Sequence, residues 1–145
     1  MVFIDCSKKL GAVSPVWRSF GYDELNWTYT PRGKEIYREI GKLSTHPYYI
    51  RCHHTFTTGN GLSTPTRGLG NVYHISKNGR PIFDFTSLDL VIETMLQNNC
   101  KPIIELGFMP DNLSAGPKPK VTYFCSQNEL YKYPPKDHRK WEALV

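Results

Sequence analysis

The sequence lacks several patterns that would assign it to a class of protein at once. No apolar run approaches the roughly 20 residues that a membrane-spanning helix needs, so we expect no membrane partner. The four cysteines, Cys6, Cys52, Cys100 and Cys125, lie far apart, and none forms the Cys-x-x-Cys spacing of a zinc or redox site. We therefore expect no metal and no cofactor, and we interpret Cys52 and Cys100 as small apolar fillers of a core.

Concentrated positive charge is also missing. The net charge is +5, but lysine and arginine are scattered, with small clusters at 118–120 and 136–140. A nucleic-acid-binding protein usually gathers such charge on one face or stripe. The sequence therefore predicts no nucleic-acid partner, and a small basic nucleic-acid binder is the weakest of the functions considered.

The C-terminal end of the chain leads us to expect an incomplete domain. At 145 residues the chain can hold one domain with a core. It stops inside a predicted helix that opens at Pro134–Pro135 and carries Trp141, Leu144 and Val145 on its apolar stripe, so we interpret 1–145 as a single incomplete domain. No signal peptide follows Met1, which predicts a cytoplasmic chain if Met1 is the native start and otherwise leaves the compartment open.

The stretch from Phe83 to Pro110 predicts a helix followed closely by a strand. Thr86 is the predicted N-cap, with Asp89 in the capping-box position. Asn98–Asn99 supplies a left-handed stop, and Ile103–Leu106 then reads as a short buried strand. Five apolar residues follow the spacing of one helix face: Leu88, Val91, Ile92, Met95 and Leu96.

An earlier segment repeats this order and predicts an α/β fold. Thr30–Pro31 opens a helix, and Pro47–His53 forms the strand after it. Two helix–strand units in succession are typical of a parallel sheet. One helix face would carry Ile36, Tyr37, Ile40 and Leu43.

Two further β segments are expected outside this pattern. Val2–Cys6, within an outlying segment at 1–12, reads as a short strand. Asn78–Gly79 predicts a hairpin between Val72–Ile75 and Pro81–Phe85.

Five segments, in this order and rough spacing, resemble the N-terminal part of glycoside hydrolase family 39 enzymes, which include β-xylosidases and, more distantly, α-L-iduronidase. They are 14–24, 50–53, 83–89, 102–110 and 134–141. The resemblance implies the N-terminal portion, about the first two strand–helix units, of a (β/α)8 TIM barrel, with the hairpin as a flap beside its mouth. A complete barrel needs roughly 250 residues. The family mechanism is that of a retaining glycosidase, which requires two carboxyl groups about 5–5.5 Å apart.

Candidate site residues follow the predicted strands. His53 and His54 end the first strand, where their side chains should point to opposite faces, so a two-histidine metal site is not expected. The resemblance selects His53 as a contact to the sugar in the −1 subsite. Arg51 shares the face of His53, and Glu105 on the second strand is its expected partner.

Glu105 is a carboxylate in an apolar strand, where burial would raise its pKa. The family takes its two catalytic glutamates from the fourth and seventh strands. The resemblance therefore implies that Glu105 is structural and that no catalytic residue lies in this chain. It also implies an aromatic sugar contact in the second long loop, for which Tyr123 and Phe124 are the candidates, with hydrophobic packing of the loop equally open.

Two functions follow from these observations. The first is a fragment of a retaining glycosidase that hydrolyses β-xylosidic or related bonds, with a carbohydrate substrate as its partner. Such a chain would be inactive alone and would self-associate through unpaired sheet edges. The alternative is a non-catalytic carbohydrate-binding module that uses its aromatic residues as platforms.

Overall fold

The computed structural model describes residues 1–12, 14, 16–59, 69–70, 72–117 and 129–145. No helix within those ranges is both long and apolar enough to cross a membrane. The elements in chain order are β1 (Ser19–Tyr22), a 3-10 turn (Leu25–Trp27), α1 (Pro31–Lys42), β2 (Tyr48–Cys52), β3 (Tyr73–Ile75), β4 (Pro81–Phe83), α2 (Thr86–Leu96), β5 (Cys100–Ile104), a second 3-10 turn (Glu129–Lys132) and α3 (His138–Leu144).

Three strands form a parallel sheet in the order β1-β2-β5. Ile50 in β2 lies opposite Phe20 in β1 and Pro102 in β5. Parallel strands need crossover connections, and α1 and α2 supply them before β2 and β5. The predicted parallel, side-by-side pairing of the two strands is confirmed. The bounds and burial of the second strand are corrected: β5 is Cys100–Ile104 instead of Ile103–Leu106, and Ile103 and Leu106 are exposed.

The structure corrects the sequence analysis on two β segments. β1 was missed, because Ser19–Tyr22 is only four residues long and contains a glycine, which weakens an isolated strand signal. Val2–Cys6 is not a strand: it is exposed, and Ser7 donates hydrogen bonds to the Asp5 carboxylate to form a turn. An extended segment becomes a strand only when a neighbouring strand exchanges backbone hydrogen bonds with it. Ser19–Tyr22 has β2 as such a neighbour and forms β1, whereas Val2–Cys6 forms no strand.

The core lies between the parallel sheet and α2. Ile50 and Cys52 alternate along β2 on the buried face, and Val91 and Met95 of α2 are also fully buried. The Sγ atom of Cys52 lies 3.8 Å from the Sδ atom of Met95. The prediction that Cys52 and Cys100 are core fillers is confirmed, since each is only 1% exposed.

The ends of α2 are formed partly by residues other than those predicted. Thr86 is not the N-cap: helix α2 begins at Thr86, and its N–H donates to the Asp84 side chain at 3.0 Å. An aspartate two residues earlier therefore satisfies a free amide of the first turn. At the other end Asn99 does adopt a left-handed backbone, with φ of 54°, and its amide donates to the carbonyl of Ser44.

The predicted apolar stripes are buried only along their centres. In α2, Met95 is fully buried but Leu96 is 56% exposed. In α1, Tyr37 is buried, whereas Ile36 and Leu43 are largely exposed. Each helical residue turns about 100° from the one before, so Leu96 and Ile36 lie well round the helix from their buried neighbours.

The predicted hairpin is present as an antiparallel pair of short strands. Tyr73 of β3 lies opposite Phe83 of β4. Gly79 adopts a φ of 76° in the connecting turn, a left-handed conformation that glycine tolerates without strain.

Candidate functional site

The carboxyl ends of the parallel strands bring the predicted site residues together. Cys52 ends β2 beside Ile104, which ends β5. The next residues along each chain segment, His53 and Glu105, therefore meet at the same edge of the sheet. In parallel α/β folds, ligands bind at this edge.

Arg51, His53 and Glu105 form a hydrogen-bonded cluster. The Nε atom of Arg51 donates to Oε1 of Glu105 at 2.5 Å. The other carboxylate oxygen, Oε2, is hydrogen-bonded to Nδ1 of His53. The guanidinium also reaches towards β1, where a Cβ atom added to Gly21 would lie 3.4 Å from Nη1. The predicted Arg51–Glu105 pair is confirmed, and the cluster joins β2 to the end of β5, beside Gly21 of β1.

The environment of Glu105 lowers its pKa, contrary to the expectation from sequence. The largest cause is the hydrogen bond with His53, and the hydrogen bond and positive charge of Arg51 act in the same direction. Desolvation opposes them and is outweighed. Glu105 lies one residue beyond the end of β5 and its side chain is 35% exposed, so it is less buried than a central strand residue would be. It is an ionised hydrogen-bond acceptor at neutral pH.

His53 and His54 lie on the same rim instead of on opposite faces. Their ring centroids are 4.1 Å apart, and both rings contact Phe108 edge-on. The alternation rule fails here because β2 ends at Cys52 and His54 has a φ of 57°, which turns its side chain back towards His53. Among the described residues, no three His, Cys, Asp or Glu side chains are placed to hold a metal ion.

An aromatic wall beside the cluster consists of Phe108, which contacts His53, and Tyr131, which packs on Phe108. The rings of Phe108 and Tyr131 are 4.7 Å apart, and the N–H of Met109 donates to the carbonyl of Tyr131. Sequence reasoning used Phe108 only to mark the start of a loop and did not identify Tyr131, because no local signal shows that 129–132 folds back onto 108–109. Tyr123 and Phe124, the predicted aromatic contacts, lie outside the described residues.

Comparison with protein families and curated proteins gives a consistent result. A model described as glycosyl hydrolases family 39 matches residues 1–145. A β-xylosidase of Geobacillus stearothermophilus is 32% identical over 90 residues, which are 62% of this chain and 17% of that protein. A β-xylosidase of Caldicellulosiruptor saccharolyticus is 36% identical over 63 residues, 43% of this chain and 12% of that protein. The chain thus spans less than a fifth of the length of these relatives.

The structure of this chain is also similar to parts of solved structures. The family 39 enzyme of Xanthomonas axonopodis pv. citri gives a TM-score of 0.55 at 23% identity, over 87% of this chain and 21% of that one. A family 39 β-xylosidase of Caulobacter crescentus gives a TM-score of 0.57 at 22% identity, over 87% of this chain and 24% of that one. At such identities the likeness concerns the fold, and it supports the barrel class that the resemblance implied.

Proposed function

The chain belongs to glycosyl hydrolases family 39, and from that premise we propose that it forms a sugar-contacting part of a retaining glycosidase acting on β-xylosidic or related bonds. The observation that carries the proposal is the Arg51–Glu105–His53 cluster at the carboxyl edge of the parallel sheet. In this proposal β1, β2 and β5 are consecutive strands at the start of a (β/α)8 barrel, and the β3–β4 hairpin lies beside its mouth.

His53 is proposed as the contact to the sugar. Its Nδ1 atom is engaged by Glu105, which leaves Nε2 as the ring atom that can meet a ligand. Phe108 stands edge-on to the imidazole and provides an apolar surface of the kind that sugar rings pack against. Tyr123 and Phe124 are proposed as further sugar contacts on the family resemblance alone.

Glu105 is proposed to be neither the nucleophile nor the acid/base. A catalytic acid/base works best with a pKa near the operating pH, whereas that of Glu105 lies below its ordinary value. Both of its oxygens are engaged by neighbours. An ionised carboxylate is also what a nucleophile requires, so the exclusion of that role rests on the family resemblance, which takes both catalytic glutamates from later strands. We therefore place the catalytic glutamate pair in sequence other than these 145 residues, so that this chain alone is inactive.

A kinetic assay tests this assignment. The isolated chain is expected to give no turnover of 4-nitrophenyl β-xyloside. Measurable turnover that is lost in Glu105→Gln and kept in Glu93→Gln, a matched change on the exposed face of α2, would overturn it. Sequencing of the reading frame downstream of Val145 provides the complementary test, since a further parallel strand followed by an Asn-Glu pair is expected there.

The sheet face opposite α2 supports a second part of the proposal, self-association of the chain. Tyr49 and Ile103 on this face are 44% and 49% exposed. Burying them against a second copy would remove apolar surface from water. Sedimentation velocity should show association that rises with concentration and weakens in Ile103→Lys, whereas a monomer whose melting does not depend on concentration would contradict it.

One observation favours the alternative, a non-catalytic carbohydrate-binding module. Trp17 is 54% exposed and Tyr49 44% exposed. Tyr49, Val16 and Arg18 line an open depression of about 290 Å³ at the amino ends of β1 and β2. Calorimetric titration with xylo-oligosaccharides separates the two functions. Binding lost in Trp17→Ala but kept in His53→Ala would favour the module, and the reverse pattern would favour the glycosidase site.

A further inference from the structure

The carboxylate of Glu105 is divided between two neighbours, each of which takes a different oxygen. Oε1 accepts from Nε of Arg51, and Oε2 is hydrogen-bonded to Nδ1 of His53. A guanidinium has donors and no acceptor, so Arg51 fixes the orientation of the carboxylate. Oε2 is thereby held facing the imidazole.

The charge on Glu105 decides which nitrogen of His53 carries the proton. The hydrogen bond with His53 and the nearby Arg51 hold the pKa of Glu105 below its ordinary value, so the carboxylate is ionised at neutral pH. An ionised carboxylate accepts hydrogen bonds and cannot donate them, so Nδ1 of His53 must be protonated to bond to Oε2. The Nη2 atom of Arg51 is also a donor and lies 3.5 Å from Nδ1, too far to compete with the closer carboxylate. In a neutral imidazole the other nitrogen, Nε2, is then an acceptor.

We propose that Glu105 is a positioning residue that holds His53 in its Nδ1–H tautomer and so presents Nε2 as a hydrogen-bond acceptor to a sugar hydroxyl. The sugar contact rests on the proposed function, whereas the choice of tautomer does not. Edge-on packing of His53 against His54 and Phe108, with ring centroids 4.1 and 5.1 Å away, holds the plane of the imidazole.

The variant Glu105→Gln separates this role from a purely structural one. Glutamine has nearly the same shape but only one acceptor oxygen. Arg51 can only donate, so the amide oxygen will face Arg51 and the NH2 group will face His53. Nδ1 must then accept, and the neutral ring carries its proton on Nε2. The substitution is therefore expected to invert the tautomer of His53 while the Arg51 contact is kept.

Nitrogen NMR measures the tautomer directly. The full chain, labelled with ¹⁵N-histidine, is studied at about pH 8, above the ordinary histidine pKa of about 6.5. His53→Gln identifies the His53 signals by their loss. The expected result is a His53 spectrum of the Nδ1–H form in the wild type and of the Nε2–H form in Glu105→Gln. Glu93→Gln, the matched control on the exposed face of α2, should leave the His53 spectrum unchanged.

Two outcomes overturn the positioning role. The first is a wild-type His53 spectrum of the Nε2–H form, or one like that of an exposed histidine. The second is an Nδ1–H spectrum that persists in Glu105→Gln. The wild-type spectrum, with His53→Gln used only to assign it, can overturn the proposal by itself, so the proposal remains testable even where Glu105→Gln does not fold.

A sugar titration separates this inference from the proposed function. Methyl β-xyloside added to the wild-type chain should move the Nε2 signal of His53 in the direction of an acceptor that gains a hydrogen bond. If the Nδ1–H form is observed but the sugar moves nothing, the role of His53 in sugar contact fails. The positioning of His53 by Glu105 then stands on its own.

Discussion

A pair of adjacent substitutions in α2 tests how the helix sits on the sheet. Met95 is fully buried and contacts Cys52, whereas Leu96, the next residue, is 56% exposed. The apolar spacing in the sequence places both residues on one stripe. The structure separates them, because only Met95 faces the strands. Met95→Ala and Leu96→Ala should therefore differ greatly in their effect on the free energy of unfolding.

The size of the difference follows from burial. Truncating a fully buried methionine removes its transfer free energy and leaves a cavity, which together cost about 2–5 kcal/mol. Leu96 has slightly less than half of its surface buried. Its truncation should cost ~1 kcal/mol or less, since complete burial of a leucine contributes about 1.5–3 kcal/mol. Alanine is also at least as good a helix former as leucine, so helix propensity adds no loss.

Urea unfolding followed by circular dichroism measures both variants at one protein concentration. We expect a much lower midpoint for Met95→Ala, or an unfolded chain without urea, and a midpoint near that of the wild type for Leu96→Ala. Losses that agree within about 0.5 kcal/mol, a difference typical of surface substitutions, would refute the placement of α2. So would a larger loss at Leu96.

Three further predictions follow from local contacts. The pKa of Glu105 is lowered from 4.5 in the folded chain, so its contribution to stability is present above about pH 4.5 and is lost as the pH falls through the folded pKa. The wild type should lose more stability than Glu105→Gln over that acid range in urea titrations, and parallel losses would contradict the ionic role. Burial raises the pKa of Cys52 to about 12, so brief iodoacetamide treatment with peptide mass mapping should label the exposed Cys6 and spare Cys52; equal labelling would contradict the packing. Gly41→Ala would place a Cβ atom 2.1 Å from the carbonyl oxygen of Asn98, and the strain should cost about 1–3 kcal/mol despite better helix propensity; an unchanged or higher urea midpoint would show that α1 does not approach the segment after α2 this closely.

Several features of the fold could be predicted from local spacing. The parallel pairing of β2 with β5 could be predicted because parallel strands need a crossover connection and a helical pattern lies between the two. The structure confirms this pairing. The Arg51–Glu105 pair is confirmed because alternation along β2 and the order of the strands place both side chains at one edge. The β3–β4 hairpin is confirmed because Asn78–Gly79 permits a tight turn.

Other features of the site could not be predicted in this way. The shared rim of His53 and His54 depends on one backbone angle after the end of β2. The lowered pKa of Glu105 depends chiefly on its hydrogen bond with His53, 52 residues away, a contact that the sequence analysis did not predict. Tyr131 joins the aromatic wall because a distant segment folds back onto Met109. None of these contacts leaves a periodic trace in the sequence.

The sequence by itself determined the alternation of helices and strands, the centre of the buried stripe of α2 and the family of the chain, since these depend on near-neighbour spacing and on the order of short segments. Only the tertiary structure decided that Ser19–Tyr22 pairs as a strand, and that Glu105 is an ionised acceptor held between Arg51 and His53. Whether a segment pairs as a strand, and whether a carboxylate is ionised, depends on the groups that contact it in the folded chain. Those groups come from parts of the chain that the local pattern does not connect.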